Sequence, residues 1–250
     1  MHDATPRGSL ARFSSPRTGL TIVLIAFAAH ALSLGNAFVW DDGYNVVENA
    51  AVRDLANVPG FFVQAWGAQA DDAGARAINT TYWRPLALTS YALDYALWGL
   101  SPGGFHLTNL ALHALGAFLV WLLALRLLSG HARSSLVAFA AASLFALHPV
   151  HTEAINVISY RTDLLAGVFL LAGVVAWLGP AARSEGSARR ARLVAVPLLY
   201  ALGLASKEMA ITLPLSLALI EALELTEAPS WRARVLRLAP LGLVLAGYLA

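Results

Sequence analysis

The 250-residue chain contains no cysteine. Disulfide frameworks and Cys-ligated zinc or redox centres are therefore excluded, and the redox compartment is left open. Charge is scarce too: charged residues make up 13% of the chain, against roughly 25% in soluble domains, while 58% of the residues are hydrophobic and mean hydropathy is +0.63. That balance excludes an ordinary soluble domain and predicts a membrane protein. A net charge of +2 on so apolar a chain argues against nucleic acid as a partner, so the arginines behind the pI of about 9.1 are read as orienting the chain in a bilayer. No internal repeat and no helical-repeat array is present.

What is there is a series of apolar runs. A hydrocarbon core of about 30 Å asks for about 20 apolar residues per helix. Gly19 to Val39 and Phe105 to Leu128 meet that length. Shorter runs cover Ser134 to Leu147, Leu164 to Leu178, Leu193 to Ala205, Met209 to Leu225 and Leu238 to Ala250. Together they predict an all-α bundle of about seven spans. With the N-terminus inside, twelve of the seventeen basic residues fall on inner segments and ten of the fifteen carboxylates on outer ones, as the positive-inside rule expects. Residues 1–18 are then an inner N-terminal segment and 19–250 a transmembrane domain. An Arg-rich start, an apolar run and Ala29–Ala31 also resemble a cleaved secretory signal, but the apolar run continues past that point to Val39. The apolar run reaching residue 250 predicts a domain truncated at its C-terminus, with a seventh helix only partly represented.

One outer loop, residues 40–104, is far longer than a bare connection and is the expected seat of function. Residues 54–66 and 85–100 carry apolar and aromatic side chains at helical intervals, which predicts two interfacial helices. The Gly/Ala-rich polar stretch at 67–81 predicts a mobile surface segment between them.

The polar residues collect at one depth, the outer ends of the spans. Asp41 and Asp42 follow the first span, where one carboxylate beside another at a low-dielectric boundary can serve as a general base; a solvated helix exit is the plain alternative. Arg84 precedes Pro85, a favoured first residue of a helix, which puts a guanidinium at a helix N-terminus suited to phosphate, or simply snorkelling to headgroups. His148, at the N-cap before Pro149, repeats the device with His151 and Glu153, and Arg161, Lys207 and Glu208 sit at the same level. Zinc is the weaker reading of the histidines, because no H-E-x-x-H pattern is present. His106 and His113 share a helix face, His106 near the outer surface and His113 deeper, as a packing hydrogen-bonder.

Four stretches in order, "WDDGYNVVEN", "YWRPLALTSYALDYALWGLSPGGFHLTNLALH", "HPVHTEAINVISYRTDLLAG" and "ASKEMAITLPL", resemble the membrane half of the transmembrane and tetratricopeptide-repeat (TMTC) O-mannosyltransferases of the GT-C superfamily. The resemblance covers about residues 19–225; the family's repeats and remaining helices have no counterpart here. It implies a multi-span enzyme with a catalytic acidic pair, Asp41 and Asp42, in its first outer loop. It also implies a polyprenyl-phosphate sugar, typically mannose, as donor and a protein or peptide as acceptor. The departing phosphate would be met by Arg84, His148, His151, Arg161 and Lys207, with His106, Glu153 and Glu208 in support. No cofactor and no metal is expected. The Ala-, Leu- and Arg-rich composition points to a bacterial inner membrane with the site facing the periplasm. A transporter or flippase, or an idle membrane anchor, is the competing class; near-midplane charges, which a permeation path needs, are scarce.

Overall fold

The computed structural model describes residues 15–63, 82–179, 190–223 and 230–249. The expected mobile stretch at 67–81, most of the N-terminal segment and the inner loop at 180–189 lie outside the described residues. Among the described residues there are helices, tight turns and no strand.

Helix α1 is Pro16–His30, α2 the single turn Val58–Phe61, α3 Pro85–Trp98 and α4 Pro102–Leu127. Helix α5 is Ser134–Leu147, α6 Thr152–Asn156, α7 Arg161–Leu178, α8 Val196–Leu204, α9 Leu213–Ala222 and α10 Trp231–Leu249. Proline starts α1, α3 and α4, where its missing N–H costs nothing. Gly99, at φ +56°, ends α3 in a conformation that L side chains rarely adopt.

Among the described residues three helical stretches, Pro16–Gly35, Pro102–Leu127 and Ile158–Leu178, are long and apolar enough to cross a membrane. A fourth arises if Ser134–Leu147 and Pro149–Asn156, bent by 44°, count as one broken span. The remaining runs of the expected seven form shorter helices or, in α10, a helix holding Pro240 and several arginines. Helix α10 nonetheless runs between two ends of the bundle. Arg234 near its start donates to the Glu221 carbonyl oxygen in α9, and Tyr248 near its end lies 5.9 Å from the Trp83 ring just before α3.

The 26 residues of α4 make a rod of about 39 Å, the spine on which α1, α5 and α7 pack. Close approach of α1 depends on Gly19, where a Cβ would stand 2.7 Å from Phe118 and 2.9 Å from Trp121. Among the described residues the core falls into three apolar clusters: α1 with α4 and α5; α7 with α8, α9 and α10; and a third in which Phe61, Tyr91 and Phe105 meet Ile158. That last cluster anchors the described parts of residues 40–104 on the bundle and so fixes the level of the polar groups. In the segment 54–66, a 3-10 turn at Leu55–Asn57 leads into α2, so a regular interfacial helix does not form over its described part. Pro59 and Gly60 inside the segment limit its helical length.

Candidate functional site at the ends of the helices

The adjacent acids part at Trp40. This residue, 72% exposed, has φ +50°, a left-handed backbone angle that is uncommon for a bulky side chain. The turn sends Asp41 outward, where it is exposed, and Asp42 inward, where it is fully buried. Asp42 accepts from the Val39 N–H at 3.1 Å, the Ser159 N–H at 2.7 Å and the Ser159 hydroxyl at 2.8 Å. Buried charge needs such donors. Asp42 thus ties the exit of α1 to the chain before α7, and Asp41 is left facing out.

Arg161, the first residue of α7, is completely buried. Its guanidinium forms an ion pair at 2.6 Å with Asp94 of α3 and donates to Asn109 Oδ1 at 2.8 Å, the Phe105 carbonyl at 2.8 Å and Ser90 at 3.2 Å. The Tyr91 ring lies 5.0 Å from it. Asp94 also accepts from the Thr108 hydroxyl at 2.7 Å. Burial pushes the Asp94 carboxyl above its ordinary value, with Arg161 and Thr108 opposing, and burial likewise raises the Tyr91 phenol. Arg161 is thereby committed to α3 and α4 and is not presented at the protein surface.

Of the three cations expected to meet the phosphate, Arg84 and Lys207 remain partly accessible. Arg84, at the N-cap of α3, makes a forked contact with Glu208, Nη2 reaching Oε1 at 2.7 Å and Nε reaching Oε2 at 3.2 Å, with the Tyr82 ring 4.5 Å away. Lys207 Nζ donates to both oxygens of Asp163 at 2.8 and 2.7 Å. The Leu86 N–H donates to the Ala205 carbonyl at 3.1 Å, which fastens the start of α3 to this corner. Burial works against the Glu208 charge, yet hydrogen bonds from its own backbone and from Arg84 outweigh it and hold the carboxyl below its ordinary value.

Tyr160, partly buried, stands between Ser159, which Asp42 holds, and Arg161 in the core.

The histidines form a separate assembly where α5 breaks. His148 Nδ1 accepts from the Val150 N–H at 3.1 Å, the N-cap expected from the sequence. The His151 ring lies 4.3 Å from Phe145, 5.0 Å from His113 and 6.2 Å from His148. His30 and His113 both donate from Nε2 to the Ala146 carbonyl, each at 3.1 Å. His106 is buried, with Nε2 at 3.5 Å from the Ala37 carbonyl. Among the described residues no group of three or more His, Asp or Glu stands where it could hold a metal ion.

The expected phosphate set is therefore divided: Arg84 and Lys207 at one corner, His148 and His151 at the helix break, and Arg161 within the core. Asp94, Asn109, Asp163, Tyr160 and His30 took no part in the expected site. A lone carboxylate in the apolar run "SYALDYALW" was the signal for Asp94.

Comparison with known proteins decides the kinship. The chain is 36% identical over 205 residues to Protein O-mannosyl-transferase Tmtc2 of Drosophila melanogaster, which covers 80% of this chain. This chain is TMTC-like. It is also 38% identical over 152 residues, 59% of the chain, to Protein O-mannosyl-transferase Tmtc1 of the same fly, and 32% identical over 157 residues, 62% of the chain, to mouse Protein O-mannosyl-transferase TMTC3. The matches span 21%, 16% and 16% of those TMTC proteins, so the chain corresponds to about a fifth or less of their length. No family model matches the chain, and no solved structure matches it.

Proposed function

We propose that this chain is the membrane core of a GT-C-like glycosyltransferase that moves a sugar from a polyprenyl phosphate carrier to a Ser or Thr hydroxyl of a protein. Mannose is the sugar that the names of its relatives favour. The observation that carries the assignment of roles is the parting of the acidic pair at Trp40, which leaves one carboxylate anchored and the other available at the outer surface.

Asp41 accepts the proton of the acceptor hydroxyl as its oxygen attacks the anomeric carbon. The bond from that carbon to the phosphate oxygen breaks, and its electron pair leaves with the polyprenyl phosphate, so the reaction is a single displacement with inversion. Arg84 and Lys207 neutralise the charge that develops on the leaving group, with Glu208 and Asp163 holding them in place until the phosphate arrives. The bilayer keeps the lipid tail in its plane and brings the phosphate to the level of these cations. Asp42 and Arg161 position the elements that bear the reacting groups, and His148 and His151 are given no step. Seven crossings, with the site on the outer, periplasmic face of a bacterial inner membrane, complete the proposal.

Asp41→Asn keeps shape and removes proton acceptance, so turnover should fall by about 10²-fold or more with donor affinity nearly unchanged. The measurement is transfer of labelled mannose from polyprenyl phosphate to a Ser/Thr peptide by the full-length protein, beside direct donor binding. Undiminished turnover in this variant would sink the mechanism.

A further inference from the structure

The two adjacent acids sit on a turn that is closed twice. The Asp42 N–H donates to the Val39 carbonyl at 3.0 Å, and the Val39 N–H donates back to Asp42 Oδ2 at 3.1 Å. Trp40 and Asp41 are the residues held between these bonds, and the left-handed backbone at Trp40 is the bend that lets the chain reverse there. The direction in which Asp41 leaves the protein is therefore set by where the Asp42 carboxylate is fastened.

It is fastened at Ser159. Oδ2 serves the turn, while Oδ1 takes both groups that Ser159 offers, the N–H at 2.7 Å and the hydroxyl at 2.8 Å. Ser159 is held in its turn, because side chains of two other helices grip the short connection between α6 and α7. Tyr91 of α3 donates its hydroxyl to the Ile158 and Ser159 carbonyls at 3.3 and 3.2 Å. Asn109 of α4 donates to the Ala154 and Val157 carbonyls at 3.3 and 3.2 Å, and its Oδ1 accepts from Arg161 at 2.8 Å. Tyr91, Asn109 and Arg161 are completely buried, so water does not compete for what they hold.

The hydroxyl is the part of this bridge that the side chain at 159 decides. A backbone N–H would be offered to Oδ1 by almost any residue, whereas the second bond exists because the residue is serine. Two donors on one carboxylate oxygen fix its direction as well as its distance. Direction matters at a reacting group, where a displacement of about 1 Å can cost on the order of 10²-fold in rate.

We infer that Ser159 is a positioning residue for the transfer reaction: its hydroxyl, acting through Asp42, aims Asp41 at the acceptor. This rests on the role proposed for Asp41. The Arg84 and Lys207 corner is held by other bonds, so Ser159 acts on turnover and leaves donor binding alone.

The test is a double-mutant cycle on the full-length protein, read by transfer of labelled mannose to a Ser/Thr peptide and by direct binding of polyprenyl phosphate mannose. Ser159→Ala should lower turnover about tenfold and leave donor affinity within about twofold. Ser159→Thr, which keeps the hydroxyl, should restore most of the lost turnover. In the Asp41→Asn background the change Ser159→Ala should cost less than about twofold, because no base is left to aim. If Ser159→Ala keeps full turnover, loses donor affinity and turnover by one factor, slows both backgrounds equally or melts too low to assay, the hydroxyl does not aim Asp41. The inference then fails while the transfer reaction stands, and a threonine variant as slow as the alanine one overturns it in the same way. If Asp41→Asn retains full turnover, the transfer reaction fails and the inference goes with it.

Discussion

Two arginines of this protein each face a carboxylate, and their surroundings are opposite. In the Arg161–Asp94 pair the side chains are 0% and 6% exposed; in the Arg84–Glu208 pair they are 16% and 48% exposed. Burial drives the Asp94 carboxyl up, whereas at Glu208 the hydrogen bonds outweigh burial and drive it down. The first pair is a rivet joining α3, α4 and α7. The second is a clasp that an incoming phosphate can open, because water can replace what Glu208 gives up. The chemical types are the same in both, so the role is decided by what else surrounds the guanidinium.

The comparison can be broken most directly at the rivet. Arg161→Ala leaves a buried carboxylate without its partner and should cost about 3–5 kcal/mol of stability, visible as a large fall in the melting temperature of the detergent-solubilised protein. Replacing both partners by apolar residues of similar size should recover much of that loss. A single variant that melts within about 1 kcal/mol of the parent would show that the pair is no more structural than a surface one.

At the clasp the expectation inverts. Arg84→Ala should leave melting almost unchanged, since exposed pairs contribute about 0–1 kcal/mol. Donor affinity should fall tenfold to hundredfold, about 1.5–3 kcal/mol for a lost charge-assisted contact. An unchanged dissociation constant for the lipid donor would make Arg84 an ordinary surface residue.

The smallest effect separates the two carboxylates by pH. Glu208, held below its ordinary value, stabilises the fold above the unfolded carboxylate range, and that contribution is lost as pH falls through its folded value. Asp94, pushed above its ordinary value, has the opposite sign: its proton is held more tightly in the fold, so stability declines as pH rises through its folded value. Melting of the parent and Glu208→Gln should therefore differ slightly at about pH 7 and converge towards about pH 3. A difference that widens on acidification would reverse the assignment.

Much of the outer architecture was legible in the chain. Proline marked the start of α3 beside Arg84 and of the turn after His148, and both elements start where the sequence put them, His148 with a side-chain cap. The separate fates of Asp41 and Asp42 follow from adjacency, because neighbours at a helix exit cannot share a direction. The destination of Arg161 was not legible. Nothing within α7 distinguishes a guanidinium aimed at a phosphate from one aimed at Asp94, and the deciding partners lie on α3 and α4. The company of the histidines was not legible for a similar reason: α1 and α4 bring His30 and His113 against the same helix break as His151.

That break has an evolutionary consequence. Where α5 stops, the Val150 N–H that would have served the Ala146 carbonyl turns to His148 instead, and the carbonyl takes its donors from His30 and His113. The demand comes from a main-chain oxygen, so it leaves no mark on the side chain at 146 beyond a preference for something small. It is recorded instead at four remote or neighbouring places, positions 30, 113, 148 and 149. A descendant that lost Pro149 and healed the helix would release both histidines at once, so drift at these four sites should come as linked changes rather than one by one.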